Sequence, residues 1–351
     1  MRSFTILALL LLATSSWARP PMAARLDPRS PAFWKARPSS KPLIIGSAAL
    51  DTVHLADGTS LDRVLGGSAI YAAVAAAKGT TPVLVAPIGK DFPKRYVNLL
   101  ERKGVDVSGL ERSNGLSFAW TGRYLNSKDR VTVDTQLGVL AGFQPKLPSG
   151  PRAKYVFLAN MSPEQQLHAL DQLFSTKATR GRPRVVLDTM NLWIDQHRPA
   201  LLRAIKRADL LLLNDEEAPM LAGKKDLASA AHAVLAMGPK MVIVKQGKNG
   251  ATLYYRGADR TIRSFSVPVY PVKVKDTTGA GDSFGGAILS YLARVDRFDP
   301  RSVGMGMIYG AAVASATVES FGVNRLSRIT PAQIARRFDH LSRQVNLADL
   351  P

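Results

Sequence analysis

Residues 276–282 read Asp-Thr-Thr-Gly-Ala-Gly-Asp, followed by Ser-Phe-Gly-Gly and an apolar run over 287–293. Gly279 and Gly281 permit a tight turn whose backbone N–H groups face one concavity, and the helix predicted to follow adds the positive end of its dipole. Such a turn binds an anion. Asp282 stands at the mouth of that positive site. Beside bound phosphates a carboxylate can accept the proton of an attacking hydroxyl while the amides stabilise charge on the transferred phosphoryl group. Alone, the same seven residues also fit a plain turn with an acidic residue in the first turn of a helix.

Working outward, short apolar runs alternate with amphipathic stretches from Leu43 onward, a pattern that predicts βαβ units and a mainly parallel sheet. Strands are expected at 43–47, 83–87, 155–159, 185–188, 210–214 and 241–245, with helices at 68–78, 93–103, 163–174, 199–207 and 227–237. Several of these helices carry Pro near the first turn, where its missing N–H costs nothing. Two segments, 51–65 and 116–139, break the rhythm with Thr, Val, Tyr and turn residues, and are expected to form a small antiparallel sheet with a hairpin tip at 124–130.

The 351 residues include 47 Lys plus Arg against 27 Asp plus Glu, a formal charge of +20, with 46% hydrophobic residues and no cysteine. That apolar fraction supports a large core. The absence of Cys excludes a disulfide scaffold, thiolate-bound zinc, iron–sulfur clusters and a cysteine nucleophile. Residues 1–42 hold seven basic residues and one acidic residue, and the rest of the excess is scattered in singles and pairs. A diffuse positive field suits a protein that handles anionic phosphates, so no nucleic-acid partner is expected. The five His residues are isolated, and no Gly-Lys-Ser/Thr forms a Walker A loop. Gly304-x-Gly306-x-x-x-Gly310 lacks the dinucleotide spacing.

Residues 1–18 have the basic start, apolar run and small residues of a signal peptide, and the run is too short to span a bilayer. Residues 19–42, rich in Pro, Arg, Ser and Ala, are expected to be a disordered basic linker. A misassigned start accounts for the same segment.

The stretch 276–282 resembles the C-terminal signature of the ribokinase/PfkB carbohydrate kinase family, and Gly66-Gly67-Ser-Ala-Ile-Tyr-Ala-Ala73 resembles its N-terminal Gly-Gly signature. Lys245-x-Gly247-x-x-Gly250 resembles the strand-end loop before the nucleotide site, and Asn214-Asp-Glu-Glu217 the N-x-x-E magnesium motif. The four occur in the family order across 43–335. The resemblance implies an α/β fold, a ribokinase-like three-layer α/β/α domain over 43–345 with a mainly parallel central sheet and a small β lid. It implies an ATP-dependent phosphotransferase acting on an alcohol group of a small sugar, sugar phosphate or polyol. A nucleoside kinase of the same fold, or a non-catalytic ligand-binding protein on the same scaffold, is the alternative.

By the same resemblance Asp282 would be the general base, and Gly279, Ala280 and Gly281 the anion hole. Lys245, Gly247, Gly250 and Thr277 would lie at the nucleotide, and Asn214 and Glu217 would orient Mg2+. Asp51, Gly66 and Gly67 would meet the acceptor. Tyr71 departs from the pattern, since many sugar-phosphorylating relatives have Asn there. Asn160, Asn191, Trp120 and Tyr124 are further pocket candidates, and a small-residue helix over 310–319 would back the adenine. A monovalent cation such as K+ beside Asp276 and Thr277, a homodimer formed through the lid, and a cytoplasmic location complete the expectation. Export is the alternative if 1–18 is a genuine signal.

Overall fold

The computed structural model describes residues 27–36, 38, 40–125, 130–149, 153–175 and 181–350. The chain begins with α1 (Pro31–Lys35), β1 (Leu43–Ile45), β2 (Ala49–His54), β3 (Ser60–Gly66), α2 (Ser68–Ala76), β4 (Val83–Ile88) and α3 (Lys94–Arg102). It continues through β5 (Asp106–Arg112), β6 (Ala119–Tyr124), β7 (Arg130–Gln136), β8 (Tyr155–Leu158), α4 (Pro163–Ser175), β9 (Arg184–Asp188), α5 (Asn191–Gln196) and α6 (Arg198–Ile205). The last part comprises β10 (Leu210–Asn214), α7 (Glu217–Ala222), α8 (Leu227–Ala236), β11 (Met241–Lys245), β12 (Ala251–Arg256), β13 (Ile262–Val267), α9 (Ala280–Val295), α10 (Pro300–Ala314) and α11 (Pro331–Ser342).

The main sheet has nine strands in the order β13-β12-β11-β10-β9-β8-β1-β4-β5. From β11 to β5 every pairing is parallel, and β12 and β13 add an antiparallel edge. The inner strands read as continuous apolar runs because both faces are covered. Ile44, Leu210 and Leu212 enter one core, beneath α2, α9, α10 and α11. Leu43, Ile45, Leu211 and Leu213 enter the other, beneath α4, α6, α7 and α8. Three layers result. α2 is buried throughout, and its alanines let α9 approach so closely that a Cβ on Gly286 would stand 2.2 Å from the Ala72 carbonyl oxygen.

After β1 the chain builds β4 and β5 on one side and β8 to β11 on the other. The crevice of an open α/β sheet lies outside the carboxyl ends of strands where the order reverses. Here that point lies between β1 and β8, whose ends lead into Gly46 and Asn160.

The second sheet, β3-β2-β6-β7, is formed by the segments expected to make the lid, and is called the lid. It is mixed rather than antiparallel: β2 with β3 and β6 with β7 run antiparallel, but β2 and β6 pair in parallel. The chain leaves the lid after β3, adds α2, β4, α3 and β5 to the body, and returns in the direction of β2. The tip expected at 124–130 is bracketed by the Tyr124–Arg130 pair, and 126–129 lie outside the described residues.

Three expectations need correction. The stretch 27–36, expected to be unstructured linker, carries α1, whose Phe33 is fully buried against Tyr291 and Tyr309. A Ser30 cap and a Pro in the first turn start that short helix. The small-residue helix expected over 310–319 ends at Ala314, and turns follow. β5, β12 and β13 were not among the expected strands; β5 and β13 border the sheet and β12 lies next to β13, and their mixed polar and apolar residues hide the apolar-run signal.

Candidate functional site

The 276–282 turn is held from several sides. Asp276, buried, accepts on Oδ1 the backbone N–H of Thr278 at 2.9 Å, the Thr278 hydroxyl at 2.7 Å and the Tyr124 hydroxyl at 2.7 Å. Gly279 caps α9 with φ +74°, and a Cβ there would lie 2.3 Å from the Tyr71 ring. Only glycine satisfies both the dihedral and the contact. Tyr71 therefore underlies the turn rather than standing open in an acceptor pocket. The Ala280 N–H turns back to the Thr277 carbonyl at 3.2 Å, so this expected anion-hole donor is spent within the turn. The amides of Gly281 and Asp282, in the first turn of α9, have no intrahelical acceptor and suit an anion better. Thr277 is exposed at the apex.

Beside the turn, β9, β10 and β11 end in Asp188, Asn214 and Lys245, with Leu212 opposite Asp188 and Asn214 opposite Lys245. The Lys245 ammonium meets Asp188 Oδ1 at 2.9 Å, and lies 3.1 Å from where a Cβ on Gly281 would stand. Burial works against the Lys245 charge, but Asp188 and Glu217 outweigh it and hold its pKa above the ordinary lysine value. Burial also pushes the Asp282 carboxyl well above the usual carboxylate range; Asp188 adds to that rise and Lys245 opposes it. Asp188, which sequence reasoning passed over, is thus central to the electrostatics. Its signal was a carboxylate closing an otherwise apolar strand.

Asn214 and Glu217 lock together. Glu217 accepts the Asn214 N–H at 2.7 Å and its Nδ2 at 2.9 Å, while Asn214 Oδ1 accepts the N–H groups of Glu216 and Glu217. Burial raises the Glu217 carboxyl to about 7, against the pull of Lys245. A buried carboxylate whose charge is disfavoured is a group that a divalent cation stabilises. Among the described residues no three acidic, His or Cys groups form a direct metal cage. That donor set fits Mg2+, which keeps several waters and needs only one or two carboxylates.

On the other side of the crevice, Asp51 is buried on β2 against Gly66, where a Cβ would stand 1.9 Å from its Oδ2. Gly67, at φ +98°, abuts the Ser47 carbonyl. Asn160 is committed elsewhere: its Oδ1 accepts from Trp193 Nε1 at 2.8 Å and its Nδ2 points to Met190 Sδ. Asn191 opens α5, is exposed, and shares no described hydrogen bond with these groups. Gly247 and Gly250 shape the β11–β12 hairpin beyond Lys245, and a side chain on Gly250 would strike the Val267 carbonyl.

Side chains alternate along a strand, so Trp120, Gly122 and Tyr124 share one face of β6. Tyr124 reaches Asp276, which turns that face toward the site. The Trp120 indole lies along it over Gly122, with Nε1 donating to Thr132 Oγ1 at 3.2 Å.

Residues 42–329 match the family model described as pfkB family carbohydrate kinase. The chain belongs to the PfkB family of carbohydrate kinases. As a PfkB kinase it is an ATP-dependent phosphotransferase. It is 29% identical to a cytidine kinase of Thermococcus kodakarensis over 258 residues, covering 72% of this chain and 88% of that one. A ribokinase of Bacillus subtilis is 25% identical over 305 residues, covering 80% and 93%. The fold is similar to that in the crystal structure of aminoimidazole riboside kinase from Salmonella enterica, complexed with aminoimidazole riboside and an ATP analog. The two superpose with a TM-score of 0.67 at 21% identity, covering 85% of this chain and all of that one (100%).

Proposed function

We propose that this PfkB kinase transfers the terminal phosphoryl group of ATP to an alcohol group of a small sugar, sugar phosphate or polyol, with Asp282 as general base. The observation that carries the reading is Asp282 itself. It stands in the first turn of α9 beside unspent amides and the Lys245 ammonium, with a carboxyl raised by burial toward the pH at which a base works best. Asp51, on β2 beside Gly66, offers its carboxylate to acceptor hydroxyls. Gly281, the Asp282 amide and Lys245 meet the charge on the transferred group. Gly247, Gly250 and Thr277 border the approach to the nucleotide. Asn214 and Glu217 would hold Mg2+ through its waters, and the cation would supply charge neutralisation at the phosphates. Tyr71 holds the turn from beneath. Activity measured with and without potassium tests a monovalent cation beside Asp276 and Thr277.

One observation favours a nucleoside acceptor as a second reading. Trp120 lies over Gly122 on the face of β6 that carries Tyr124, an aromatic side chain of the kind on which a planar base stacks. The similarity to a cytidine kinase points the same way. Dependence on ATP supports action in the cytoplasm. Cleavage after Ala18, read by mass spectrometry of the native N-terminus, would support export.

The test is ATP consumption by the full chain over a panel of sugars, sugar phosphates, polyols and nucleosides, with Asp282→Asn as control. Turnover of one acceptor is expected, falling by about a hundredfold or more in the variant. Turnover that survives in Asp282→Asn removes Asp282 as the base, and a silent panel with retained ATP binding favours a ligand-binding role.

A further inference from the structure

The Tyr124–Asp276 hydrogen bond joins two separate bodies. Tyr124 ends β6 in the lid, Asp276 opens the anion-binding turn, and both are buried, at 8% and 3% exposure. One carboxylate oxygen of Asp276 receives the Tyr124 hydroxyl together with both donors of Thr278. Hydrogen bonds to an ionised acceptor are short and strong, so this oxygen sets the path of the chain into Gly279. The Tyr124 ring is steadied edge-on by Phe321, with centroids 6.3 Å apart. On its far side Gly279 rests on Tyr71, which belongs to the helix that follows Gly66 and Gly67.

The acceptor side connects to the same bond. Asp51 lies on β2, and β2 pairs directly with β6 through Thr52 with Thr121 and Val53 with Gly122. Hydroxyls drawn to Asp51 therefore act on the sheet that carries Tyr124. When that sheet lifts, the 2.7 Å bond cannot persist, and Asp276 Oδ1 loses one of the donors described on it.

We propose that Tyr124 is a positioning residue that, through Asp276, ties the lid to the anion-binding turn, so that the turn reaches its phosphoryl-holding shape when the lid is seated over an acceptor. The proposal rests on the kinase reading above. Tyr124 touches neither reactant in this scheme. It acts on the amides of Gly281 and Asp282 through the carboxylate of Asp276 and the turn. ATP alone, with the lid raised, then meets a loosened turn, which limits wasteful transfer to water.

Tyr124→Phe in the full chain tests this, since it keeps the ring against Phe321 and removes only the donor. With the acceptor found by the panel, kcat is expected to fall by about tenfold while the KM values for acceptor and ATP stay within about twofold. Amide hydrogen exchange over 277–281 is expected to speed by about tenfold, with the melting temperature little changed. An unchanged kcat together with unchanged exchange overturns the proposal. If the wild type turns over no acceptor, the kinase reading falls, and the exchange comparison decides the link between lid and turn: faster exchange supports it, unchanged exchange overturns it. Asp276→Asn supplies the second arm. Adding Tyr124→Phe to it is expected to change exchange no further, and additive effects of the two substitutions count against a shared path.

Discussion

Asp282 sits between a carboxylate and an ammonium that pull its proton affinity in opposite directions. Asp188 raises its pKa and Lys245 lowers it, while Lys245 and Asp188 are themselves ion-paired at 2.9 Å. A general base works only when deprotonated, so with Asp282 in the proposed role the acid limb of kcat/KM against pH is expected to follow its pKa in the free enzyme. Asp188→Asn removes a negative neighbour, stabilises the Asp282 anion, and is expected to move that limb to lower pH by about one unit. Lys245→Met removes the positive neighbour and is expected to move it the other way by a similar amount. Both variants lose rate, because each also disturbs the ion pair. The sign of the shift separates them, and pH–rate profiles of the two variants beside wild type provide the check. Shifts in the same direction would mean that the limb belongs to another group.

Among the elements, α1 shows how a short helix is written in sequence and hidden there. Phe33 is fully buried between Tyr291 and Tyr309, and Arg294 donates to the carbonyls of Phe33 and Trp34 while its guanidinium stacks on the Phe33 ring. Phe33→Ala is expected to cost about 3–5 kcal/mol, read as a loss of melting temperature, with kcat at low temperature unaffected because the site lies at the other end of α9. Removal of residues 1–42 is expected to cost at least as much, since Arg294 then loses two buried carbonyl partners. Five residues cannot show a helical period, which is why proline and arginine content spoke louder than the Ser30-Pro31 start. The parallel strands were legible for the opposite reason: β10 and β11 are unbroken apolar runs ending in Asn214 and Lys245, and those polar ends mark the site. Tyr124 stands 152 residues from Asp276 and Thr278 only two, and nothing local tells that one carboxylate oxygen will collect donors from both. The commitment of the Ala280 amide to Thr277 was hidden likewise, because a glycine-rich motif shows that amides converge without showing which are already used.

At the scale of the whole molecule, helices cover both faces of the main sheet, while the small sheet has an exposed edge. β7 borders the lid sheet, and residues 131–138 are all exposed, Val131 at 42% and Val133 at 48%, with Leu125 nearby at 60%. A strand exposed on both faces and along one edge carries unpaired backbone groups and apolar side chains that another chain can cover. A second copy is the occupant we propose, its own β7 continuing the lid sheet, which fits the family resemblance of the chain. Such pairing would stiffen β6 through β7 and so favour the seated lid on which the Tyr124–Asp276 bond depends. Sedimentation of the full chain is expected to give twice the chain mass at micromolar concentration. Val131→Asp combined with Val133→Asp is expected to give the monomer, because two carboxylates facing their equivalents across the new edge repel. With the acceptor KM measured alongside, the monomeric variant is expected to bind acceptor several-fold more weakly. A wild type that stays monomeric at every working concentration removes the dimer, and leaves β7 as an edge guarded only by the polar residues between its valines.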